Sequence, residues 1–167
     1  MAIETINPAT GERLATYEAF TPERVDRALT LAKEAAHQWR RTSFEERSAR
    51  LRALAGVLRS QRDELALLAT QEMGKPIVEA RAEVEKAAGG CEYYAEHSER
   101  FLAPEVVETN ARESFVAYRP LGVVLAIMPW NFPYWQVLRA AAPIIMAGNT
   151  MVLKHASHVT GCALTLE

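Results

Sequence analysis

At 167 residues the chain fits one domain that can bury a sizeable core. Its composition, 49% hydrophobic and 24% charged, is typical of a globular protein. A formal net charge of -2 gives no electrostatic reason to expect nucleic acid or an anionic membrane as a partner. The apolar runs are too short to span a bilayer, and the start has no signal-peptide pattern. Two cysteines make neither a disulfide framework nor a zinc site, so we expect a protein of the reducing cytoplasm.

The first segment, Ile3 to Phe20, contains a turn signal at Asn7 to Gly11 between strand-like pieces, which predicts a hairpin. Thr21 followed by Pro22 is typical of a helix start, with Thr as the N-cap and Pro at the first helical position. Apolar residues then recur at helical spacing and predict the packed face of this helix. They are Val25, Leu29, Ala32 and Ala36.

More helix follows, up to about residue 104. Ser43 and Glu46 form a capping-box pattern, Gly74 predicts a helix stop, and Lys75-Pro76 restarts a long helix. The apolar stripes of these helices predict their buried faces. They comprise Leu51, Leu54 and Leu58; then Leu65, Leu68 and Ala69; then Ile77, Ala80, Val84, Ala87, Cys91 and Ala95.

Two strand-like pieces come next, Val106 to Thr109 and Ser114 to Tyr118, on either side of Asn110. An isolated two-stranded hairpin is marginal in water, so we expect this pair to pack on something else, such as another subunit. Near the end, Gly161 to Leu166 is helical without a stop signal. We therefore expect the front portion of a larger protein or a truncated product.

The central stretch has the pattern of one βαβ crossover. An apolar run from Leu121 to Met128 stops at Pro129 to Pro133, a helical segment covers Tyr134 to Ala147, and Thr150 to Leu153 forms a second strand. Both strand candidates are apolar without alternation, which is typical of parallel strands covered on both faces. An α/β fold follows from this pattern.

Candidate functional residues follow the two strands of this crossover. In such sheets, ligands lie beyond the carboxyl ends of the strands, where Asn131 and Lys154 fall. Asn131 is a neutral amide donor suited to a developing oxyanion, and Lys154 is a cation suited to ribose hydroxyls or phosphate. If the helix starts near Phe132, Trp135 and Arg139 share one face at i, i+4 spacing.

Each of these residues also has an ordinary structural explanation. Asn131 is typical of a turn, Lys154 of a solvated strand end, and Arg139 of a side chain whose apolar stem packs on its helix. Cys91 lies on an apolar stripe and Cys162 has no evident base partner, so neither suggests a nucleophile. The histidines show no metal-ligand spacing; they are His37, His97, His155 and His158.

Sequence motifs add a family resemblance. Pro129 to Pro133, followed by Ala147 to Thr150 and Lys154, resembles the aldehyde dehydrogenase superfamily. The resemblance covers essentially the whole chain, including Asn7 to Gly11 and Glu72 to Pro76. It implies the N-terminal portion of a Rossmann-like cofactor-binding domain, oxidation of an aldehyde to the acid through a thiohemiacetal, and a homo-oligomer.

The resemblance also implies roles for single residues. Asn131 would donate its side-chain amide to the oxyanion of the thiohemiacetal. Met128, Pro129 and Trp130 would line the nicotinamide and pyrophosphate region of the cofactor, and Lys154 would bind the adenosine ribose. A cofactor of the NAD or NADP type follows.

The segment Leu153 to Ser157 differs from the sequence of many family members and is most similar to that of bacterial succinate-semialdehyde dehydrogenases. This similarity suggests both the substrate and the cofactor preference. Ser157 stands where NAD-preferring members often carry Glu, so no carboxylate repels a 2'-phosphate, and NADP should be tolerated or preferred. Arg139 occupies the place of an Arg that holds the substrate carboxylate in that branch, with Trp135 on the same face. A buried-facing Arg needs a partner, which favours the substrate role.

The resemblance places the family's catalytic Cys, its Glu base and its glycine turn beyond Glu167, and Cys91 and Cys162 match neither position nor context. We therefore expect the 167-residue chain alone to be catalytically inactive. A non-catalytic fragment or interaction module remains an alternative, and an enzyme using Cys91 would need a depressed thiol pKa.

The expected organisation has three segments. Residues 1–104 would form the N-terminal hairpin and helices of the cofactor-binding domain, 105–119 an oligomerisation hairpin, and 120–167 the start of the Rossmann-like sheet, truncated.

Overall fold

The computed structural model describes residues 2–167 and shows a mixed α/β chain. Its strands are β1 (Ala2–Ile6), β2 (Arg13–Glu18), β3 (Glu105–Val106), β4 (Phe115–Val116), β5 (Val123–Met128) and β6 (Thr150–His155). Its helices are α1 (Pro22–Trp39), α2 (Phe44–Ser60), α3 (Arg62–Met73), α4 (Ile77–Phe101), α5 (Trp135–Met146) and α6 (Thr160–Leu164), with a 3-10 turn at Ser157–Val159. No helix among these residues is both long and apolar enough to cross a bilayer.

The predicted N-terminal elements are confirmed. Strands β1 and β2 pair antiparallel, and the Thr21 side chain accepts a hydrogen bond from the Arg24 N–H at the start of α1. At the start of α2 the Ser43 and Glu46 side chains each accept from the other's backbone N–H, which completes a capping box. These starts are set by residues three apart in sequence, so local rules suffice to find them.

Only the second half of the predicted face of α1 is packed. Val25 is 43% exposed and Leu29 is 45% exposed, while Ala36 is buried. The packed face also includes Ala32, whose carbonyl accepts a hydrogen bond from the Thr150 hydroxyl. Small side chains let α1 approach β6 closely, so the alanines decide the packed face rather than the larger apolar residues.

Helices α2, α3 and α4 form the main core together with α5. The predicted stripes of α2, α3 and α4 are buried or half-buried, and α4 extends unbroken past both glycines at 89 and 90. Gly74 ends α3 with a φ of 75°, the left-handed conformation that glycine adopts without strain. This turn redirects the chain so that α4 runs back along α3.

The predicted βαβ crossover is confirmed. Strands β5 and β6 are parallel, with Val123 opposite Thr150, and α5 lies between them in sequence. The expectation that both faces of these strands are covered is wrong for β5 within residues 2–167, since Leu125 is 62% and Ile127 is 69% exposed. The other face of β5 carries buried Ala126, so β5 is covered mainly on that side, while Thr150 to Leu153 of β6 are half-buried.

The remaining predictions differ only in their bounds. Strands β3 and β4 pair antiparallel, as predicted, but are shorter than expected and lie on the surface, where Val106 is 84% exposed. The expected helix at Gly161 to Leu166 is α6, preceded by its 3-10 turn.

Candidate functional site

The site is organised by the paired carboxyl ends of β5 and β6. Ile127 lies opposite Lys154 and Met128 lies opposite His155. Asn131 follows β5 by three residues, so its turn begins at the same edge of the sheet as the Lys154 end of β6. Asn131 and Lys154 are both exposed. A neutral amide donor and a cation thus stand at neighbouring strand ends.

The residues expected at a cofactor lie around this edge. Met128 is half-buried, Pro129 is exposed, and Trp130 is 46% exposed. The Trp130 ring is 5.6 Å from the ring of His158, which neighbours exposed Ser157. This contact joins the segment after β5 to the segment after β6. The edge therefore offers the aromatic surface of Trp130, the ammonium group of Lys154 and the hydroxyl of Ser157. Position 157 carries this neutral hydroxyl and not a carboxylate.

Helix α5 begins at Trp135, in agreement with the predicted helical segment from Tyr134 to Ala147, and not as early as Phe132. Phe132 precedes Pro133, and a residue before proline is disfavoured in the helical region, so a turn separates Asn131 from the helix. This turn is already curled, because the Gln136 N–H donates to the Phe132 carbonyl at 3.1 Å.

Trp135 and Arg139 still share a face of α5 but have different surroundings. The Trp135 ring packs on α4, 2.9 Å from where a Cβ on Gly90 would lie, and the Lys86 ammonium lies 4.5 Å from the ring centroid. Arg139 is exposed among residues 2–167, so the expectation that it faces the interior is wrong for this part of the chain. Its guanidinium needs no buried partner here.

A buried ion pair supports the turn that carries Asn131. The Glu83 Oε1 atom accepts hydrogen bonds from the backbone N–H groups of Tyr134 and Trp135, at 2.9 and 3.0 Å. Its other oxygen pairs with the Lys75 ammonium, and the two side chains are only 1% and 7% exposed. Helix α5 has no cap from its own flanking side chain, so a carboxylate from α4 takes that place.

His155 ties the same turn to the end of β6. Its Nδ1 accepts from the Ala156 N–H at 2.8 Å, so the neutral ring carries its proton on Nε2 and donates it to the Pro133 carbonyl at 3.0 Å. Burial lowers the pKa of His155 from its usual range, which favours this neutral form.

Glu72 holds the segment that follows Lys154 and Ser157. Its two carboxylate oxygens accept from the backbone N–H groups of Gly161 and Cys162, each at 2.9 Å. Glu72 is 3% exposed and lies on α3, so it links the helical core to the start of α6.

The cysteines are placed as inert core residues. Cys91 and Cys162 are both 0% exposed. Burial raises the pKa of the Cys91 thiol to about 11, and burial is also the main cause that raises the pKa of Cys162. Both thiols therefore stay protonated and unreactive near neutral pH. The depressed pKa that a Cys91 enzyme requires is contradicted.

The family-level prediction is decided by comparison with known proteins. The sequence model of the aldehyde dehydrogenase family matches residues 1–167. The chain belongs to the aldehyde dehydrogenase family. Its α/β architecture superimposes on a succinic semialdehyde dehydrogenase from Streptococcus pyogenes, solved with NADP+, with a TM-score of 0.94 and 38% identity, covering 98% of this chain and 36% of that one. The predicted fold class is confirmed.

Two curated aldehyde dehydrogenases illustrate the sequence similarity. The probable succinate-semialdehyde dehydrogenase (NADP+) of Synechocystis sp. is 53% identical over 99% of this chain and 37% of its own length. The succinate semialdehyde dehydrogenase (NAD(P)+) Sad of Escherichia coli is 48% identical over 95% of this chain and 34% of its own. The chain thus spans about a third of the length of these relatives.

The sequence alone did not predict the buried residues that support this candidate site. Glu72 and Lys75 belong to a motif that carried the resemblance, yet no local pattern assigned them a task. Glu83 and His155 stood apart from any chemical pattern. A charged residue at a position inside an apolar helical stripe was the available signal, since Glu83 lies three residues after buried Ala80 and four before buried Ala87.

Proposed function

We propose that this chain forms part of an NAD(P)-dependent aldehyde dehydrogenase that oxidises succinate semialdehyde to the carboxylic acid. The observation that carries the proposal is the pairing of Ile127 with Lys154, which brings the exposed amide of Asn131 and an exposed ammonium to one sheet edge. Relatives in Synechocystis and Escherichia coli that bear the succinate-semialdehyde name support the choice of substrate.

Asn131 is the proposed oxyanion donor. When a thiolate attacks an aldehyde carbon, negative charge develops on the carbonyl oxygen, and a neutral amide stabilises it without competing as a base. The buried thiols of Cys91 and Cys162 do not suit the attacking role, since raised pKa values keep them protonated. We therefore expect the thiolate to come from a residue outside these 167 positions.

The donor set at the edge fits a dinucleotide cofactor. An exposed aromatic ring on Trp130 offers a stacking surface, and Lys154 offers three donors for ribose hydroxyls or phosphate. When bound, the nicotinamide accepts the hydride from the substrate carbon. Met128 and Pro129 complete the proposed lining after β5. Ser157 leaves room for a 2'-phosphate, which suits NADP.

Ser157→Glu is expected to shift cofactor preference from NADP towards NAD by about tenfold, because the new carboxylate repels the 2'-phosphate. The measurement is kcat/KM for both cofactors at fixed aldehyde concentration. Ser157→Gln, similar in size but neutral, is the control and should leave the ratio close to wild type. A wild-type enzyme with strong NAD preference would contradict this role for Ser157.

Arg139 is the proposed reader of the substrate carboxylate, because an exposed guanidinium can bind a carboxylate in bidentate geometry. Trp135, one turn earlier, is proposed to contribute substrate contact. Arg139→Ala is expected to raise KM for succinate semialdehyde by about tenfold to a hundredfold. The KM for butanal, which lacks the carboxylate, should barely change.

Arg52→Ala on α2 provides the matched control for Arg139, since Arg52 is exposed and lies on another helix. It should leave both KM values unchanged. Equal losses for succinate semialdehyde and butanal in Arg139→Ala would show that Arg139 supports the fold instead of selecting the substrate.

We propose three segments: the N-terminal hairpin and helices of the cofactor-binding domain at 1–104, an oligomerisation hairpin at 105–119, and the start of the Rossmann-like sheet at 120–167. In particular, the exposed hairpin of β3 and β4 is proposed to pack against a second copy of the protein, because Val106 and Phe115 leave apolar surface uncovered. A homo-oligomer is the proposed assembly.

The decisive experiment measures NADP reduction by a complete enzyme that contains this chain, with succinate semialdehyde as substrate. Turnover at a rate above that with butanal supports the proposal. Absence of both turnover and micromolar NAD(P) binding would favour the alternative, a non-catalytic interaction module.

A further inference from the structure

We propose that Glu83, paired with Lys75, is a positioning residue that sets the orientation of the Asn131 amide for the reaction. This inference rests on the proposed oxyanion role of Asn131. Its basis is a buried carboxylate on α4 that holds the backbone three and four residues after the exposed amide of Asn131.

The hydrogen bonds of Glu83 fix the start of α5, three residues beyond Asn131. One oxygen accepts from both Tyr134 and Trp135 N–H groups, the donors that open α5 and have no intrahelical partner. A carboxylate at a helix start also interacts favourably with the helix dipole. With Glu83 1% exposed, water does not compete for these bonds, so the start of α5 is held in one place relative to α4.

Lys75 extends this hold to the residue next to Asn131. Its ammonium pairs with the second oxygen of Glu83 and lies 3.7 Å from the centroid of the Phe132 ring. A cation over an aromatic face is attracted to it, and the attraction is modest here because Phe132 is 38% exposed. One buried charge pair therefore bonds to the backbone at Tyr134 and Trp135 and also contacts Phe132.

Stability alone gives a weak reason for such a pair. Removing two charges from water costs about as much as their attraction returns, so apolar residues of similar volume often serve stability equally well. The pair instead fixes an orientation. The Glu83 carboxylate accepts from two backbone N–H groups at once, and Lys75 holds that carboxylate in place. Glu83 and Lys75 therefore suit a site in which a nearby donor must not move.

Contacts with β6 and α3 also hold this turn. The Pro133 carbonyl bonds to His155, and the Tyr134 hydroxyl donates to the Leu65 carbonyl at 2.9 Å. Pro133 and Tyr134 are fully buried, while Asn131 is exposed. The backbone from Pro133 to Trp135 is therefore held by several buried hydrogen bonds, which limits how far the preceding Asn131 can shift. A misplacement of about 1 Å at such a donor can cost about a hundredfold in rate.

A double-mutant cycle on kcat in the complete enzyme tests this inference, with Glu83→Gln, Asn131→Ala and the combined variant. The Gln side chain is neutral and has only one acceptor oxygen, so it cannot accept from the Lys75 ammonium and from the two backbone N–H groups through separate oxygens, as Glu83 does. We expect Glu83→Gln to lower kcat about tenfold or more when Asn131 is present, with little change in cofactor Kd. In the Asn131→Ala background, Glu83→Gln should change kcat less than about twofold, because the group it orients is gone.

The outcomes separate this inference from the proposed function. If Asn131→Ala leaves kcat unchanged, the oxyanion role fails and the inference falls with it. If Asn131→Ala slows turnover but Glu83→Gln has no effect, or the same effect in both backgrounds, the positioning role alone is overturned.

Two further variants keep the test decisive if Glu83→Gln folds poorly. Glu83→Asp keeps the charge but shortens the side chain, so it should lower kcat by an intermediate factor that again disappears in the Asn131→Ala background. Equal losses in both backgrounds would overturn the inference. Glu79→Gln, at an exposed position one turn earlier on α4, is the matched control and should leave kcat unchanged.

Discussion

Replacing Asn131 with alanine is expected to lower kcat for aldehyde oxidation about a hundredfold or more, the usual effect of removing one oxyanion donor. The reason is that the amide interacts with charge that exists only after the thiolate has attacked. Substrate and cofactor binding precede that step, so the KM for the aldehyde and the Kd for NADP should change little. Asn131 is exposed at the edge shared by β5 and β6, where such a donor can meet a bound aldehyde.

The measurement is single-turnover NADPH formation, which isolates the chemical step from product release. Asn110→Ala is the matched control, since Asn110 is an exposed amide in the β3–β4 hairpin, away from the paired strand ends. It should retain wild-type turnover. An Asn131→Ala enzyme that matches wild type in the chemical step would remove Asn131 from the mechanism.

Local sequence signals were sufficient where the determining residues lie close together in the chain. The caps Thr21 and Ser43 act on N–H groups three residues later, and Gly74 ends α3 at the expected place. The order of apolar segments around Pro129 to Pro133 likewise predicted the βαβ crossover, and hence the shared edge of Asn131 and Lys154. Each of these features follows from spacing within one segment.

Features set by contacts distant in sequence were not predictable in this way. The start of α5 depends on Glu83, 51 residues before Tyr134, and the packed face of α1 depends on β6. The exposed position of Arg139 depends on what surrounds α5 in three dimensions. Residue type and spacing determine none of these three features, because a helical stripe indicates which side of a helix is apolar but not which element covers it.

The candidate site residues were proposed from family resemblance more than from chemistry. Asn131 and Lys154 are ordinary residues at strand ends, and only their neighbouring motifs made them distinctive. By contrast, Glu72, Glu83 and Lys75 are identified by their burial: three charged side chains at most 7% exposed, each hydrogen-bonded. Such groups are rarely buried without a task, so they were the strongest new signal in the structure.

Helices α5 and α6 both begin at a buried glutamate that belongs to another helix. Neither has a cap from its own flanking side chain, and each receives a buried carboxylate from another helix, Glu83 for α5 and Glu72 for α6. These two helix starts follow β5 and β6 in the chain. The segments at the candidate site are therefore both fixed to the helical core through glutamates.

Glu72→Ala is expected to destabilise the chain by about 3 kcal/mol, because it leaves the N–H groups of Gly161 and Cys162 buried without an acceptor. Truncating a side chain that is 3% exposed also leaves a cavity at the start of α6. Glu72→Gln keeps one oxygen but turns an NH2 group towards the second N–H, so its loss should be about half as large.

Urea unfolding measures this difference, with the wild type and both variants compared at equal slope. Glu64→Ala, an exposed glutamate in the first turn of the same helix, is the control and should cost less than about 1 kcal/mol. The loss in free energy of unfolding should be largest for Glu72→Ala, smaller for Glu72→Gln and smallest for Glu64→Ala. This order follows from the number of buried N–H groups that each variant leaves without an acceptor. If Glu72→Ala costs no more than Glu64→Ala, the carboxylate does not hold α6, and the segment after Lys154 must be fixed to the core by other contacts.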